Sequence, residues 1–224
     1  MLIRRLAMER PGDFHITACD QSPAMLAEAV RAGGQARVTA VAAQVERLPL
    51  AADTFDAVVA AGLLEYADRN LALREISRVA RPGGLVVLTM LNPLSPCRLF
   101  RWGLYWPLLR RLGKAEAMLG VPGPRRHGVI VSGIRTTPAF RLAQEMRAVN
   151  LRPYDIVYYD LNAFVPPIDR YLRKFDGQWR DHPEKTVSRG MRRWMGTAYL
   201  IAARTGRRHN RKGASASRSY ALAR

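Results

Sequence analysis

The sequence has little cysteine, no spaced metal-binding motif and no long apolar run. Its 224 residues include two cysteines, Cys19 and Cys97, which are too few for a disulfide framework. We therefore interpret them as reduced thiols of a cytoplasmic protein. The four histidines form no ligand spacing, so we expect no metal. The apolar core at residues 1–7 is too short for a signal peptide, and no run of apolar residues is long enough to cross a bilayer.

Acidic residues are scarce in the second half of the chain. Residues 1–92 contain ten basic and ten acidic side chains, whereas residues 93–224 contain 26 basic and 8 acidic ones, which is the whole formal excess of +18. Such a surface attracts anionic lipid, nucleic acid or an acidic substrate, or it serves solubility alone. No aromatic RNA-binding motif accompanies it, which argues against a nucleic-acid partner. Residues 205–224, with six basic and no acidic residues, are predicted to form a disordered tail.

The stretch from Leu48 to Leu91 has the clearest pattern of secondary structure. The apolar run 55–61 predicts a buried strand, and the apolar spacing over 70–80 predicts an amphipathic helix. Proline and two glycines at 82–84 are expected to end that helix, because proline cannot continue it and glycine takes the left-handed turn. Residues 85–91 form a second continuous apolar run. A strand, a helix and a strand with both strands buried make the unit of a parallel sheet.

The flanking segments extend this pattern in both directions. Residues 1–10 resemble the end of a helix, 14–19 and 36–42 are predicted strands, and Ser22 and Pro23 begin a helix that ends near residue 32. Further along, we predict a loop over 120–133, a helix over 138–149, irregular structure over 164–193, and two closing strands at 152–160 and 197–203.

These motifs together resemble the class I S-adenosylmethionine-dependent methyltransferases of the small-molecule branch. The resemblance is carried by ACDQSPAMLAEA, by LPL followed by FD, by LLEYAD and by REISRVARPGG. It covers residues 14–92 well and 135–204 loosely. It implies an α/β fold with a Rossmann-like, mostly parallel sheet that ends in an antiparallel hairpin. The methyltransferase domain would then span residues 1–204, and an insert at 93–134 would cover the substrate.

The resemblance also implies a set of cofactor-binding positions: Asp20, Gln21, Met25, Gln44, Val45 and Ala61. An acid at the end of a strand binds ribose hydroxyls in folds of this type, and we favour this role for Asp20 over that of a simple strand-end acid. Met25 is either a side chain near the adenine or a core methionine. Gln44 stands where the family often has an aspartate that binds the adenine amino group. Glutamine retains an acceptor oxygen for that role.

One family feature is missing from the chain. The family begins with a central strand and a turn of the type G-x-G-x-G, which lets the backbone approach the cofactor, but residues 1–10 contain no glycine. We therefore expect the first strand to be missing, so that the strand at 14–19 faces a gap or pairs directly with 55–61. The chain is then either an N-terminally truncated enzyme or a non-catalytic remnant that acts as a binding module.

Two further features bear on the reaction. Glu65 and Tyr66 follow the strand at 55–61, where they could act as a general base or simply shape a pocket. Large apolar residues alternate with arginines over 99–112, as in a lid over the substrate or in a peripheral membrane contact. Both interpretations of 99–112 point to a small, lipophilic methyl acceptor. The alternatives to that function are the non-catalytic remnant and an RNA-directed methyltransferase.

Overall fold

A computed structural model describes residues 2–10, 12–34, 37–122, 134–161 and 196–206. Its helices are α1 Leu2–Glu9, α2 Pro23–Gly33, α3 Arg69–Val79, α4 Pro96–Phe100, α5 Trp106–Met118 and α6 Ala139–Ala148. Its strands are β1 His15–Asp20, β2 Arg37–Ala42, β3 Phe55–Ala60, β4 Ala80–Leu91, β5 Leu151–Leu161 and β6 Gly196–Thr205. The predictions for 164–193 and for the tail beyond residue 206 lie outside the described residues, as does most of the predicted loop at 120–133.

The first four elements form a small unit of their own. Strands β1 and β2 pair in parallel, with His15 opposite Arg37 and Asp20 opposite Ala42. Helix α2 connects them and begins as its sequence predicts, because the hydroxyl oxygen of Ser22 accepts a hydrogen bond from the Met25 amide and Pro23 occupies the first turn. Gly34 ends the helix with a positive φ of 55°.

The remaining strands form a second sheet in the order β3-β4-β6-β5. Strand β3 pairs in parallel with β4, and β6 pairs antiparallel with both β4 and β5. The closing antiparallel pair is confirmed. The prediction of a mostly parallel sheet is wrong for the described strands, because β6 inserts between β4 and β5 and makes two antiparallel pairs against two parallel ones.

The glycine pair after α3 does not end that helix. Helix α3 begins at the cap Asp68, whose carboxylate accepts a hydrogen bond from the Leu71 amide at 3.0 Å, and it ends at Val79. Strand β4 then starts at once, since Ala80 already pairs with Phe55. Residues 82–84 therefore lie within the strand, beside a register shift in β3. Gly84 has no room for a side chain there, because a Cβ atom would lie 2.9 Å from the Arg81 carbonyl oxygen.

The hydrophobic core lies between the second sheet and helices α3 and α6. Its most buried side chains include Leu73, Ile76, Leu88, Met90, Leu142, Met146, Tyr199 and Ile201. The Tyr199 hydroxyl donates a hydrogen bond to the Thr137 carbonyl at 2.6 Å. Arg69 contacts the Thr137 hydroxyl and both carboxylate oxygens of Glu145, which joins α3 to α6. At the far edge of this sheet, β5 contains Pro153 next to a second register shift.

The two sheets do not pair with each other. In the part of the chain that the structure describes, β1 pairs with β2 and β3 pairs with β4, and neither β1 nor β3 has a partner on its other edge. A cavity of about 220 Å³ lies between them, bounded by Thr17 and Cys19 on one side and by Phe55 and Ala57 on the other. Of the two arrangements that the sequence predicts for the strand at 14–19, the structure has the gap.

A partly buried ion pair fixes the turn before β3 to helix α3. The Arg78 guanidinium donates to the carbonyl oxygens of Leu48 and Leu50 at 3.0 and 2.7 Å and to both carboxylate oxygens of Glu75. Glu75 also accepts from the Leu48 amide at 2.9 Å. The hydrogen bonds from Arg78 are the main cause that lowers the pKa of Glu75 from its usual value of 4.5.

We predict that Glu75→Gln destabilises the fold in a pH-dependent way. A carboxylate whose pKa is lower in the folded state stabilises it above the unfolded pKa, and this contribution is lost as the pH falls through the folded value. Urea unfolding at pH 7 should show a loss of about 1–3 kcal/mol in the free energy of unfolding. The difference from wild type should shrink towards pH 3.

Glu28→Gln is the matched control, because Glu28 pairs with Arg31 on the exposed face of α2. It should change the free energy of unfolding by less than about 0.5 kcal/mol at either pH. A Glu75→Gln penalty that is the same at pH 3 and pH 7 would contradict the role assigned to the charge.

Candidate cofactor and acceptor site

The carboxyl ends of β1 and β2 lie side by side. The Ala43 amide, one residue past β2, donates a hydrogen bond to the Asp20 carbonyl at 3.1 Å. Asp20, Ala43 and Val45 all line the cavity between the two sheets, together with Ala60 and Leu63 at the end of β3. Ligands of open α/β sheets bind at this edge, outside the carboxyl ends of the strands.

Asp20 is held in place by the start of α2. One carboxylate oxygen of Asp20 accepts a hydrogen bond from the Ser22 amide at 2.8 Å. This contact orients the half-buried side chain at the end of β1 and against the cavity. A carboxylate offers several acceptor positions, so hydroxyl groups of a ligand can be bound in addition to the Ser22 amide.

The other predicted cofactor positions divide into two groups. Gln21 and Val45 line the cavity with Asp20, and Val45 is 8% exposed. Met25, Gln44 and Ala61 are exposed and do not line it. Met25 lies on the first turn of α2 with 57% of its surface exposed, so it is not a core methionine. Gln44 forms an isolated bridge with Arg47.

Sequence reasoning did not single out Cys19 and Leu63 as cavity residues. Cys19 is exposed, and partial desolvation against the cavity wall raises the pKa of its thiol. Alternation along β1 does not identify it, because strict alternation puts Cys19 on the face opposite Asp20, whereas both residues line the cavity. Leu63 comes after β3, and no pattern in the sequence distinguishes it from its neighbours.

Glu65 follows β3 and interacts with the backbone of Leu91, the last residue of β4, but it does not line the cavity between the two sheets. It is 5% exposed, and one carboxylate oxygen, Oε2, has no hydrogen-bond partner among the described residues. Burial raises the pKa of Glu65, although its own amide, the Leu91 amide and the nearby charge of Arg98 oppose that rise. Tyr66, the other candidate base, is 70% exposed. The two residues that the sequence could not distinguish therefore differ sharply in environment.

The segment Pro96–Met118, called the helical arm below, extends from this edge of the sheet. It consists of α4, a π-helical turn at Arg101–Tyr105, and α5. None of the residues 101–118 is buried, and five large apolar side chains among them are exposed by 43–88%: Trp102, Leu104, Leu108, Leu112 and Met118. The guanidinium groups of Arg98 and Arg101 lie 5.9 and 5.7 Å from the ring centres of Trp102 and Trp106.

The described residues offer neither a cluster of metal ligands nor a membrane-spanning helix. Among them, no group of three histidine, cysteine, aspartate or glutamate side chains is placed to hold a metal ion. Within the same ranges, no helix has the length and apolar character that a membrane crossing needs.

Comparison with known proteins relates this chain to a family. The sequence model of the family described as a methyltransferase domain matches residues 2–88. The demethylmenaquinone methyltransferase of Mycobacterium marinum is 39% identical over 132 residues, which are 58% of this chain and 54% of the relative. The ubiquinone/menaquinone biosynthesis C-methyltransferase of Syntrophotalea carbinolica is 45% identical over 64 residues, 28% of this chain and 27% of the relative. The chain thus spans about half or less of the length of the curated relatives it matches.

Solved structures agree on the fold. A crystal structure of an S-adenosylmethionine-dependent methyltransferase from Mesorhizobium loti superposes with a TM-score of 0.53 at 18% identity, covering 89% of this chain and 84% of the other. The [4+2]-cyclase SpnF superposes equally well, with a TM-score of 0.53 at 21% identity, covering 90% and 69%. Because a cyclase shares the fold, the fold alone does not define the reaction. Residues 2–88 thus match a methyltransferase domain, and the described chain has a fold similar to that of the S-adenosylmethionine-dependent methyltransferase from Mesorhizobium loti.

Proposed function

We propose that this protein transfers a methyl group from S-adenosylmethionine to a small, lipophilic acceptor. The observation that carries the proposal is the meeting of Asp20, Val45 and Leu63 around one cavity at the carboxyl ends of three strands. That arrangement offers a carboxylate beside apolar walls, which suits the hydroxyls and the base of a nucleoside. The names of the curated relatives point to isoprenoid quinone precursors as the class of acceptor.

The residues present fit the nucleoside end of the cofactor. Asp20 would hold the ribose hydroxyls, Gln21 lies next to it, and Val45 and Leu63 supply apolar contact for the adenine. The cavity of about 220 Å³ is smaller than the roughly 300–1,000 Å³ that is usual for small-molecule sites. The described residues include no glycine-rich turn for the methionine end, so we infer that the site needs a further wall. Met25, Gln44 and Ala61 stay weaker candidates.

The cofactor supplies an electrophilic methyl group on a positively charged sulfur, so the protein has to orient the acceptor and exclude water. Glu65 suits a second task, which is to accept the proton that the acceptor loses. Its Oε2 is buried and has no hydrogen-bond partner among the described residues, and burial raises the pKa of its carboxyl group, which makes the carboxylate a stronger base. Tyr66 is too exposed for that task and suits contact with the acceptor.

A direct assay tests the proposed reaction. The assay compares two forms of the protein, this chain and a form extended upstream of Met1. Each form is incubated with cofactor labelled in its methyl group and with a demethylated isoprenoid quinol in detergent. Label should move into the organic phase with the extended form. Binding of the cofactor without transfer to any lipophilic acceptor would favour the non-catalytic alternative, and transfer to RNA would favour the RNA-directed one.

Asp20→Asn tests the ribose contact. Asparagine keeps an oxygen for the Ser22 amide but loses the negative charge, and a hydrogen bond to a charged group is worth about 1.5–3 kcal/mol. Calorimetry with S-adenosylhomocysteine should therefore show roughly 10- to 100-fold weaker binding in the extended form. Glu28→Gln, on the exposed face of α2, should bind like the wild type.

Two outcomes would count against this assignment. If Asp20→Asn and the wild type bind S-adenosylhomocysteine with equal affinity, Asp20 does not contact the ribose. If the chain as given binds S-adenosylhomocysteine tightly, the inference that the cofactor site needs a further wall is wrong.

Glu65→Gln tests the proposed base. Glutamine has nearly the same size but cannot accept the proton, so kcat should fall by about 10²- to 10⁴-fold while the affinity for the cofactor is unchanged. In the wild type, kcat/KM should rise with pH as Glu65 loses its proton, and this limb should vanish in the variant. Tyr66→Phe is the neighbouring control and should keep most of kcat. A Glu65→Gln enzyme with normal kcat would reduce Glu65 to a residue that shapes the pocket.

We further propose that the helical arm contacts the membrane surface in which such an acceptor resides. Exposed leucines and tryptophan would enter the interface, and Arg101, Arg110 and Arg111 would attract anionic headgroups at about 1 kcal/mol each. The role of a lid over the acceptor remains the alternative. The absence of buried side chains over residues 101–118 favours the membrane contact.

Vesicle sedimentation tests the arm. The protein should sediment with anionic phosphatidylglycerol vesicles at low salt and less at high salt. Replacing Trp102, Leu108 and Leu112 by serine should abolish sedimentation, because each side chain contributes up to about 1.5–3 kcal/mol when fully buried. Replacing the exposed Leu2 and Met8 of α1 by serine is the matched control. If only arginine substitutions reduce sedimentation, the contact is electrostatic and the arm is better explained as a lid.

A further inference from the structure

Two arginines face each other across the neighbouring strands β5 and β6. Arg152 and Arg204 are directly opposite in the antiparallel register, and both are exposed. Side chains at such positions project from the same face of a sheet, with their Cβ atoms about 4.5–5.5 Å apart, and like charges in this arrangement are destabilising. An anion bound between the two guanidinium groups would offset that repulsion. We call Arg152 and Arg204 the arginine pair.

No carboxylate of the described residues neutralises the arginine pair. Within the described ranges, neither arginine takes part in an ion pair. The Nη1 atom of Arg204 donates a hydrogen bond to the Gly83 carbonyl at 3.0 Å, which holds this guanidinium beside the start of β4. Asp155 is the next residue of β5 on the same face, since it lies opposite Ala202, two residues before Arg204. A guanidinium has five donors, so both side chains keep donors for a ligand.

The chain leaves the second sheet next to the arginine pair. Gly206 follows the end of β6, and Asn150 precedes β5. The Gly206 amide donates to the Asn150 carbonyl at 2.8 Å, and the Asn150 side-chain amide donates to the Gly206 carbonyl at 3.1 Å. Residues 207–224, which come next, contain six basic and no acidic side chains. Positive charge thus continues along the chain from this end of the sheet.

The arginine pair and the helical arm lie at opposite ends of β4. Arg204 is opposite Leu85, near the start of β4, whereas the arm comes after Leu91, the last residue of that strand. The strand from Leu85 to Leu91 spans about 20 Å, and exposed charges are screened over about 8 Å at physiological ionic strength. The arginine pair is therefore a basic surface separate from that of the arm, and the membrane contact proposed for the arm does not account for it.

Tyr154 supplies an exposed aromatic ring close to the arginine pair. It lies at the register shift of β5 between Pro153 and Asp155, where no residue of β6 is opposite it, and it is 61% exposed. The arm, in contrast, exposes leucines and a tryptophan, which suit a membrane interface. Cations beside an exposed aromatic ring are the combination by which proteins bind single-stranded nucleic acid, with the cations on the phosphates and the ring on a base.

We propose that the arginine pair and Tyr154 bind single-stranded nucleic acid. The two guanidinium groups contact phosphate, the ring of Tyr154 stacks on a base, and the positive charge of residues 207–224 adds attraction. No RNA-binding motif in the sequence indicates this site, because strand register rather than spacing along the chain brings the two arginines together. The site lies outside the cofactor cavity, and the proposal does not depend on methyl transfer.

Fluorescence anisotropy with a labelled, mixed-sequence single-stranded RNA of about 12 nucleotides tests the proposal on the full chain. The logarithm of the affinity should fall linearly with the logarithm of the salt concentration, by about 0.7 for each phosphate that the protein neutralises. The double variant Arg152→Gln, Arg204→Gln should bind the RNA roughly tenfold more weakly and with a slope reduced by about 1.

Thermal unfolding of the same double variant separates binding from folding. Glutamine removes two like charges that lie opposite each other, so the midpoint of unfolding should stay the same or rise. A variant that unfolds at a lower temperature and still binds RNA like the wild type would show that the arginines serve the fold, and it would overturn the proposal.

Two neighbouring substitutions should act in opposite directions. Asp155→Asn should strengthen RNA binding, because it removes a negative charge from the face of the arginine pair. Tyr154→Ala should weaken binding roughly five- to 100-fold through the loss of stacking, without changing the salt slope, whereas Tyr154→Phe should bind like the wild type. Unchanged binding by Tyr154→Ala, or equal affinity for a duplex of the same sequence, would overturn the assignment to single strands.

The matched control removes two arginines from the helical arm. Arg110→Gln combined with Arg111→Gln causes the same loss of charge on an exposed surface and should change the affinity by less than about threefold. If this control weakens binding as much as the double variant of the arginine pair, net charge alone attracts RNA and the proposal fails.

Three further outcomes would also overturn it. The first is competition by polyglutamate that equals competition by unlabelled RNA, because any polyanion would then suffice. The second is loss of binding when the basic residues of 207–224 are replaced by glutamine, with no effect of replacing the arginine pair. The third is an arginine-pair variant that loses sedimentation with phosphatidylglycerol vesicles but keeps RNA binding, because the site would then contact lipid.

Discussion

Backbone amide and carbonyl groups that leave water must be hydrogen-bonded, and this requirement governs the whole molecule. It is satisfied in the second sheet, where β4 and β6 have a partner on each side and their alternate side chains are completely buried. Among the strands that the structure describes, no strand pairing satisfies it at the facing edges of β1 and β3. The need to pair backbone groups thus accounts both for the well-packed core, where strands are paired on each side, and for the open gap, where they are not. The side chains of β3 become exposed where strand pairing stops.

The turn between the two sheets is fixed by side chains rather than by strands. Arg78 and Glu75, on one face of α3, bind both ends of the Leu48–Leu50 turn through backbone groups. Because these groups are partly buried, their hydrogen bonds are stronger than those of exposed pairs. The turn positions the start of β3, and the end of β2 lies a few residues before it. The cavity wall at Leu48 and Leu50 therefore depends on hydrogen bonds from Arg78 on α3.

Much of the fold could be predicted from local patterns, and the failures have local causes. The apolar spacing within α3 and α6 predicts these two helices directly, and the cap residue Ser22 predicts the start of α2. Proline and glycine at 82–84 misled the prediction, because their signal does not distinguish a helix end from an irregular strand. Strand order is non-local, so the insertion of β6 between β4 and β5 could not be read from periodicity.

The site was predictable in type but not in detail. Asp20 could be placed because it ends a strand, whereas Gln44 and Ala61 depend on the directions of their side chains. The difference between Glu65 and Tyr66 arises from burial by distant elements, which no sequence window contains. The two edges of the second sheet also differ: β5 carries Pro153 and a register shift, both of which discourage further pairing, while β3 is straight over Ala57–Ala60 and apolar. Pairing with a further strand is therefore discouraged at the β5 edge, whereas an open and apolar β3 edge favours association with strands of other chains, and with it aggregation.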